Sequence, residues 1–251
     1  MTNTIANHIT SSRPRAAVLL GAIAASLLQT ASGGSLITDP SVLLVVDGSQ
    51  YPIEVRPDSK GYGFSFGIDQ PDAPVSMSGY LNPDPEISFS VTVTDFGTPS
   101  VFTFTFGQLI VPTGAPNVVS ATLVGTLEDV GGDGISLTPS GGPLAMVSLV
   151  GPPNTNMGVD LGPEVAYSGT PTQTSPSTYP YGAFSAGPLA GPGPGPWTTM
   201  QTTLSFAFSG GGDIARLEGT VTILEVPEVN GGTLFGLAAL ATGVAWKRRR
   251  R

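Results

Sequence analysis

Ile87 to Thr94, ISFSVTVT, and Val101 to Phe106, VFTFTF, decide the fold. In each, apolar residues alternate with Ser or Thr, and a strand puts every second side chain on the same face. Each segment therefore reads as a β-strand with one face in a core and the other in water. Gly97-Thr98-Pro99 between them supplies a turn. Working outward, Val118 to Leu127 (VVSATLVGTL) alternates less regularly, while Leu204 to Phe208 (LSFAF) and Leu217 to Leu224 (LEGTVTIL) repeat the pattern. Shorter strand candidates are Val42 to Val46, Tyr62 to Ile68 and Leu144 to Val150. Turns are expected at Pro112 to Pro116, at Gly131 to Gly134 and at Gly210 to Asp213. Away from the two ends no 3.6-residue periodicity is long enough for a helix. Many short strands with frequent turns predict an all-β domain over residues 34–225, an antiparallel β-sandwich of jelly-roll-like form.

One stretch breaks the alternation. Gly169 to Trp197 holds seven prolines and six glycines, including Gly191-Pro-Gly-Pro-Gly-Pro196. Prolines lack ladder donors and glycines bring no side chains, so it does not suit a central strand. It reads as a long exposed loop of the sandwich or as a link between two subdomains. The loop is favoured because Leu204 to Leu224 looks like one hairpin, and a lone hairpin is only marginally stable. Tyr179, Tyr181, Phe184 and Trp197 tie such a loop to the body, or else form a sugar-stacking platform in which Tyr181 and Trp197 are the ligand-binding candidates.

The chain has no cysteine, which removes disulfides, thiolate metal sites and cysteine nucleophiles. Its one histidine, His8, precedes the apolar run near the N-terminus and is expected to leave with it. A Ser-His-Asp triad, a His-ligated zinc and a histidine base are then out of reach. Catalysis would fall to a pair of carboxylates, as in glycosidases, or to a serine activated by Lys60. The acid pairs Asp69 with Asp72 and Asp84 with Glu86 lie in Pro-rich connections and read as solvated. Asp58-Ser59-Lys60-Gly61 reads as a turn. Asp129-Val-Gly-Gly-Asp133-Gly134 places carboxylates at i and i+4 before a glycine, as in the start of a calcium loop. Gly131 stands at its third position and Ser140 at its twelfth, so it is no intact EF-hand loop. A hairpin turn between Leu127 and Ile135 accounts for the same residues without metal. No cofactor is expected on that reading; calcium held by Asp129 and Asp133 is the alternative.

The two ends describe trafficking. Arg13 and Arg15 precede Ala16 to Leu28, an uncharged run of 13 residues, and Ala31-Ser32-Gly33 has small residues where a signal peptidase cuts. Residues 1–33 therefore read as a cleaved signal peptide, cut near Ala31 or Gly33. At the other end, Val229 to Trp246 gives 18 residues without formal charge, followed by Lys247, Arg248, Arg249, Arg250 and Arg251. As a helix, such a run reaches about 27 Å against a hydrocarbon core of about 30 Å, a marginal span. The terminal cations hold that end on the cytoplasmic side, with Trp246 at the interface and the body outside. A buried helix with a solvated basic end is the alternative. Without both ends, Arg56, Lys60 and Arg216 face all 18 acidic residues, a net charge of −15. That surface excludes nucleic acid as a partner and repels anionic polysaccharide unless divalent cations bridge the two.

Val226-Pro227-Glu228, an apolar segment and the terminal Lys-Arg cluster together resemble the PEP-CTERM sorting signal over residues 226–251. Val229 stands where that family usually has a second proline. Asp95 to Pro139 is similar, more loosely, to the β-rich bodies common among proteins bearing this signal. The resemblance implies an exosortase-like membrane protease that cuts near Pro227 and Glu228, with only transient residence at the inner membrane. Final placement is then the cell surface or an exopolysaccharide matrix. It brings no catalytic residue. Two functions are expected from this: a structural or adhesive matrix protein without catalysis, or a carbohydrate-binding or glycosidase-like protein using Asp and Glu.

Overall fold

The computed structural model describes residues 39–113, 117–151, 159–169, 176–190 and 197–226, all within one compact unit spanning Gly33–Arg251. The expected signal peptide with Ala31 and Gly33, and the tail from Pro227 through Arg251, lie outside the described residues; Val226 alone of the tail is inside, and it is exposed. Among the described residues no helix is long and apolar enough to cross a membrane.

The described residues form only strands: β1 (Ser41–Val46), β2 (Ser49–Ile53), β3 (Arg56–Asp58), β4 (Gly61–Ile68), β5 (Val75–Asn82), β6 (Glu86–Asp95) and β7 (Ser100–Thr113). There follow β8 (Asn117–Asp129), β9 (Gly134–Pro139), β10 (Met146–Gly151), β11 (Val165–Ser168), β12 (Ser177–Ala190), β13 (Trp197–Phe208) and β14 (Asp213–Glu225). One seven-stranded sheet has the order β11-β9-β13-β7-β1-β2, with β10 also on β13; the other has the order β12-β8-β14-β6-β5-β4-β3. Neighbouring strands pair antiparallel, and the all-β sandwich expected from the alternation is present. With seven strands in each sheet, and β3 to β6 forming an uninterrupted meander, it is larger than an eight-stranded jelly roll.

The alternation works as the sequence implies. In β6 every second residue, Ile87, Phe89, Val91 and Val93, is buried, as are Phe102, Phe104 and Phe106 of β7. The two inner faces meet through rings: Phe106 stacks on Phe89 at 4.5 Å and on Phe64 at 5.6 Å. Gly219 makes room for this stack, because a Cβ there would run into the Phe89 ring. Outward hydroxyls pair along the surface, with Thr103 Oγ1 and Ser205 Oγ 2.7 Å apart.

Three expectations need correction. Leu204 to Leu224 is not a hairpin: β13 and β14 belong to different sheets, and Gly210-Gly211-Gly212 carries the chain between them. Leu127 to Ile135 is likewise a crossover, since β8 and β9 lie in opposite sheets. A tight glycine-rich connection serves a hairpin and a sandwich crossover equally well, and only long-range pairing separates the two. The segment 169–197 is not simply a loop, because β12 within it pairs with β8 from Ser177↔Asp129 to Ala190↔Val118. It is an edge strand, where proline is tolerated, and its register shifts at Pro180/Gly182 and Ala186/Leu189.

The registers define two poles. At one, β6 and β8 end while β7 and β14 begin, which gathers Asp95, Asp129, Ser100 and Asp213. At the other, the β5–β6 turn meets the ends of β7 and β14: Val111 N–H donates to Pro83 O (2.9 Å) and Ile223 N–H to Pro85 O (3.1 Å). Gln108, buried on β7, adds side-chain bonds to Asn82 O and Glu86 O of the same turn, each 2.9 Å.

Candidate functional site

The first pole carries the densest polar chemistry of the described residues. Asp129 closes β8, and its carboxylate folds back over the crossover, accepting from Gly132 N–H (2.5 Å) and Gly134 N–H (3.2 Å). Asp213 opens β14 and accepts from Val130 N–H (3.3 Å) and Ser209 Oγ (2.7 Å). Ser209 Oγ in turn accepts from Ser136 N–H of β9 (3.1 Å), so one hydroxyl ties a carboxylate of one sheet to the backbone of the other. The Gly210 to Gly212 connection calls for glycine throughout: φ is +81°, +78° and +91°, and a Cβ on Gly210 would also collide with Gly97 O.

Asp133 completes a trio. One carboxylate oxygen from each of Asp129, Asp133 and Asp213 lies within 4.8 Å of the others, with Asp129 and Asp213 buried and Asp133 exposed. Two oxygens on one calcium ion, each about 2.3–2.6 Å from it, are at most about 5 Å apart, so the spacing fits a hard cation held by oxygen. A Cβ on Gly131 would crowd Asp133 Oδ1, which keeps a small residue beneath that carboxylate. Neither described ion pair, Arg56 with Glu54 nor Arg216 with Glu128, involves the trio. Burial, reinforced by the Asp129 and Asp133 carboxylates, pushes the Asp213 carboxyl up to about 6, against the opposing hydrogen bonds from Ser209 and Val130. Asp95, the ladder partner of Asp213, is also buried and raised by burial, although Ser100 N–H (2.8 Å) and Ser100 Oγ (3.2 Å) bond to it.

The structure thus brings together Asp129 and Asp133 as their spacing implied, and adds Asp213, which the sequence reading treated only as the end of a turn. A signal for it was present: Gly-Gly-Asp occurs at both Gly131 to Asp133 and Gly211 to Asp213.

Tyr181 and Trp197 are elsewhere and face inward. They are 2% and 1% exposed, so neither ring offers a face to a sugar. This takes both out of the expected stacking platform: Trp197 opens β13 inside the sandwich, and Tyr181 donates to Pro163 O (3.1 Å) with Phe184 edge-on at 5.3 Å. Tyr179 instead stacks on Tyr167 at 4.5 Å, and Tyr167 donates to Pro180 O (2.7 Å), closing edge strand β12 against β11 of the other sheet.

The solvated acid pairs are not members of the trio. Asp69, Asp72 and Asp84 are exposed, and Lys60 sits in the β3–β4 turn as its neighbours implied. A depression of about 310 Å³ on the outer face of the β4–β6 meander, lined by Gly67, Asp69, Ser76, Thr92 and Thr94, has a single carboxylate. No protein-family model matches the chain, and no curated protein matches it.

Proposed function

We propose that the chain is an exported, acidic β-sandwich protein of the cell envelope or extracellular matrix, structural or adhesive and without catalysis, delivered by its PEP-CTERM-like tail. The observation that carries this reading is the ordered tail of Val226-Pro227-Glu228, apolar segment and Lys247 to Arg251, on a body with three cations against 17 acids. Signal peptidase and an exosortase-like protease process it, and its passage through the inner membrane is transient. Burial of two of the three clustered carboxylates supports a structural role, because glycosidase carboxylates must flank a substrate in an open cleft. Inward-facing Tyr181 and Trp197 also weigh against the carbohydrate-binding alternative. The trio Asp129, Asp133 and Asp213 takes calcium, which clamps the β8–β9 crossover between the sheets to the first residue of β14.

The test is intact mass of the mature protein from hosts with and without the sorting protease. Loss of the tail, including Arg251, only in the competent host is expected; retention of Arg251 there defeats the reading. A glycan array with the full chain checks the alternative, and strong binding to a neutral polysaccharide would revive it.

A further inference from the structure

We propose that the pole where β14 ends is a membrane-facing surface that rests on zwitterionic lipid headgroups while the tail is anchored; this rests on the tail reading given above. Five large apolar side chains are exposed at or near this pole: Val111 (59%), Leu224 (58%), Leu109, Leu189 and Val226. Backbone bonds place them at one end of the sandwich, with Leu109 and Leu224 on the outer faces of opposite sheets and Leu189 on edge strand β12. Val111 and Ile223 hold the two ends of the Pro83–Pro85 turn, Leu224 pairs with Val118, and Leu189 pairs with Val119 on the next ladder. Leu109 lies two residues before Val111 on β7.

The occupant follows from where the chain continues. After Val226 there are 25 residues, and the uncharged run Val229 to Trp246 begins three residues on. Three extended residues reach at most about 11 Å, so an inserted tail keeps this pole beside the headgroup layer. Tethering makes the contact intramolecular, and weak apolar burial then suffices where a free protein would need a large interface. Charge selects the lipid. Asp84, Glu86, Asp58 and Lys60 belong to the turns of this pole, three acids to one cation, which disfavours anionic headgroups. The far pole also exposes Phe96, Val101 and Val130, but among Asp47, Asp129 and Asp133, and β14 of 13 residues holds it about 40 Å away.

Because the chain has no cysteine, single labels can be placed at will. The full chain carrying Leu224→Cys, Val111→Cys, Leu189→Cys or, at the far pole, Thr98→Cys is labelled with an environment-sensitive fluorophore. Each is bound to phosphatidylcholine vesicles containing lipids spin-labelled at the headgroup. Quenching at positions 224, 111 and 189 with none at 98 is expected, and admixed phosphatidylglycerol should reduce it. Vesicle binding without quenching at the first three, or with equal quenching at 98, overturns the surface and leaves the tail anchor standing. Failure to bind vesicles removes the anchor and the surface with it.

Discussion

Asp129 and Asp213 lie far apart in sequence, yet one ends a strand and the other begins its neighbour, and their carboxylate oxygens come within 4.8 Å of each other and of Asp133. Antiparallel pairing of β8 with β14 makes this unavoidable once Ile214 is opposite Glu128. Like charges at that distance repel by several kcal/mol at an effective dielectric of about 20, so the site favours a proton or a cation. The two outcomes are separable by experiment.

Calcium should stabilise the folded chain near neutral pH. At about 100-fold excess over its dissociation constant the gain is about 2.7 kcal/mol, read as a rise in thermal midpoint that a chelator reverses. Asp133→Asn, at the exposed member of the trio, should remove most of that gain while leaving the metal-free midpoint nearly unchanged. An unchanged midpoint in millimolar calcium would count against the site.

Trp197→Ala should act on stability and not on sugar binding. The indole is 1% exposed, and deleting a buried Trp side chain costs about 3–5 kcal/mol. Urea unfolding should show the loss in full. A variant that unfolds at the wild-type midpoint but loses polysaccharide binding would reinstate the platform.

The sequence made the strands legible where hydroxyl and apolar residues alternate strictly, as in β6, β7 and the end of β14, because burial of one face is written at period two. It hid β12, since Pro180, Gly182 and Pro188 look like loop residues until β8 offers a partner on one side only. It also hid connectivity: Gly131 to Gly134 and Gly210 to Gly212 are compatible with hairpins, and nothing local says that the following strand joins the other sheet. Half of the acidic site was visible through the spacing of Asp129 and Asp133. Asp213 was not, because its role depends on a ladder between distant strands.

Gly219 tests the ring stack at the centre of the sandwich. Its inner-face position lies against the Phe89 ring, which is itself sandwiched on Phe106, so the ring has no room to retreat. Gly219→Ala should therefore destabilise by about 1–3 kcal/mol through overpacking, despite the better intrinsic strand propensity of alanine. Phe89→Leu in the same chain should relieve part of the cost, a coupling that a double-mutant cycle measures directly.

The last prediction concerns pH in the absence of divalent cations. The Asp213 carboxyl ionises near 6 in the folded chain, because burial and the neighbouring carboxylates disfavour its charge, against an ordinary value of 3.8. Below the ordinary value both folded and unfolded chains hold the proton, and this group contributes no pH dependence. Between 3.8 and about 6 the unfolded chain releases the proton while the folded chain keeps it, so stability falls as pH rises through this window. Above it both states are ionised and the loss is complete, on the order of 3 kcal/mol. Asp95, also raised by burial, adds in the same direction. Urea midpoints in chelator should thus decline from pH 4 to pH 7, about the window of the Asp213 carboxyl. In Asp213→Asn, which keeps an oxygen for Ser209 to donate to, the decline should flatten. Calcium should flatten it in the wild type as well, because the ion replaces the proton as the neutralising charge. A wild-type midpoint that rises steadily across that window would show that the buried carboxylates are stabilised as anions and that the cluster needs neither.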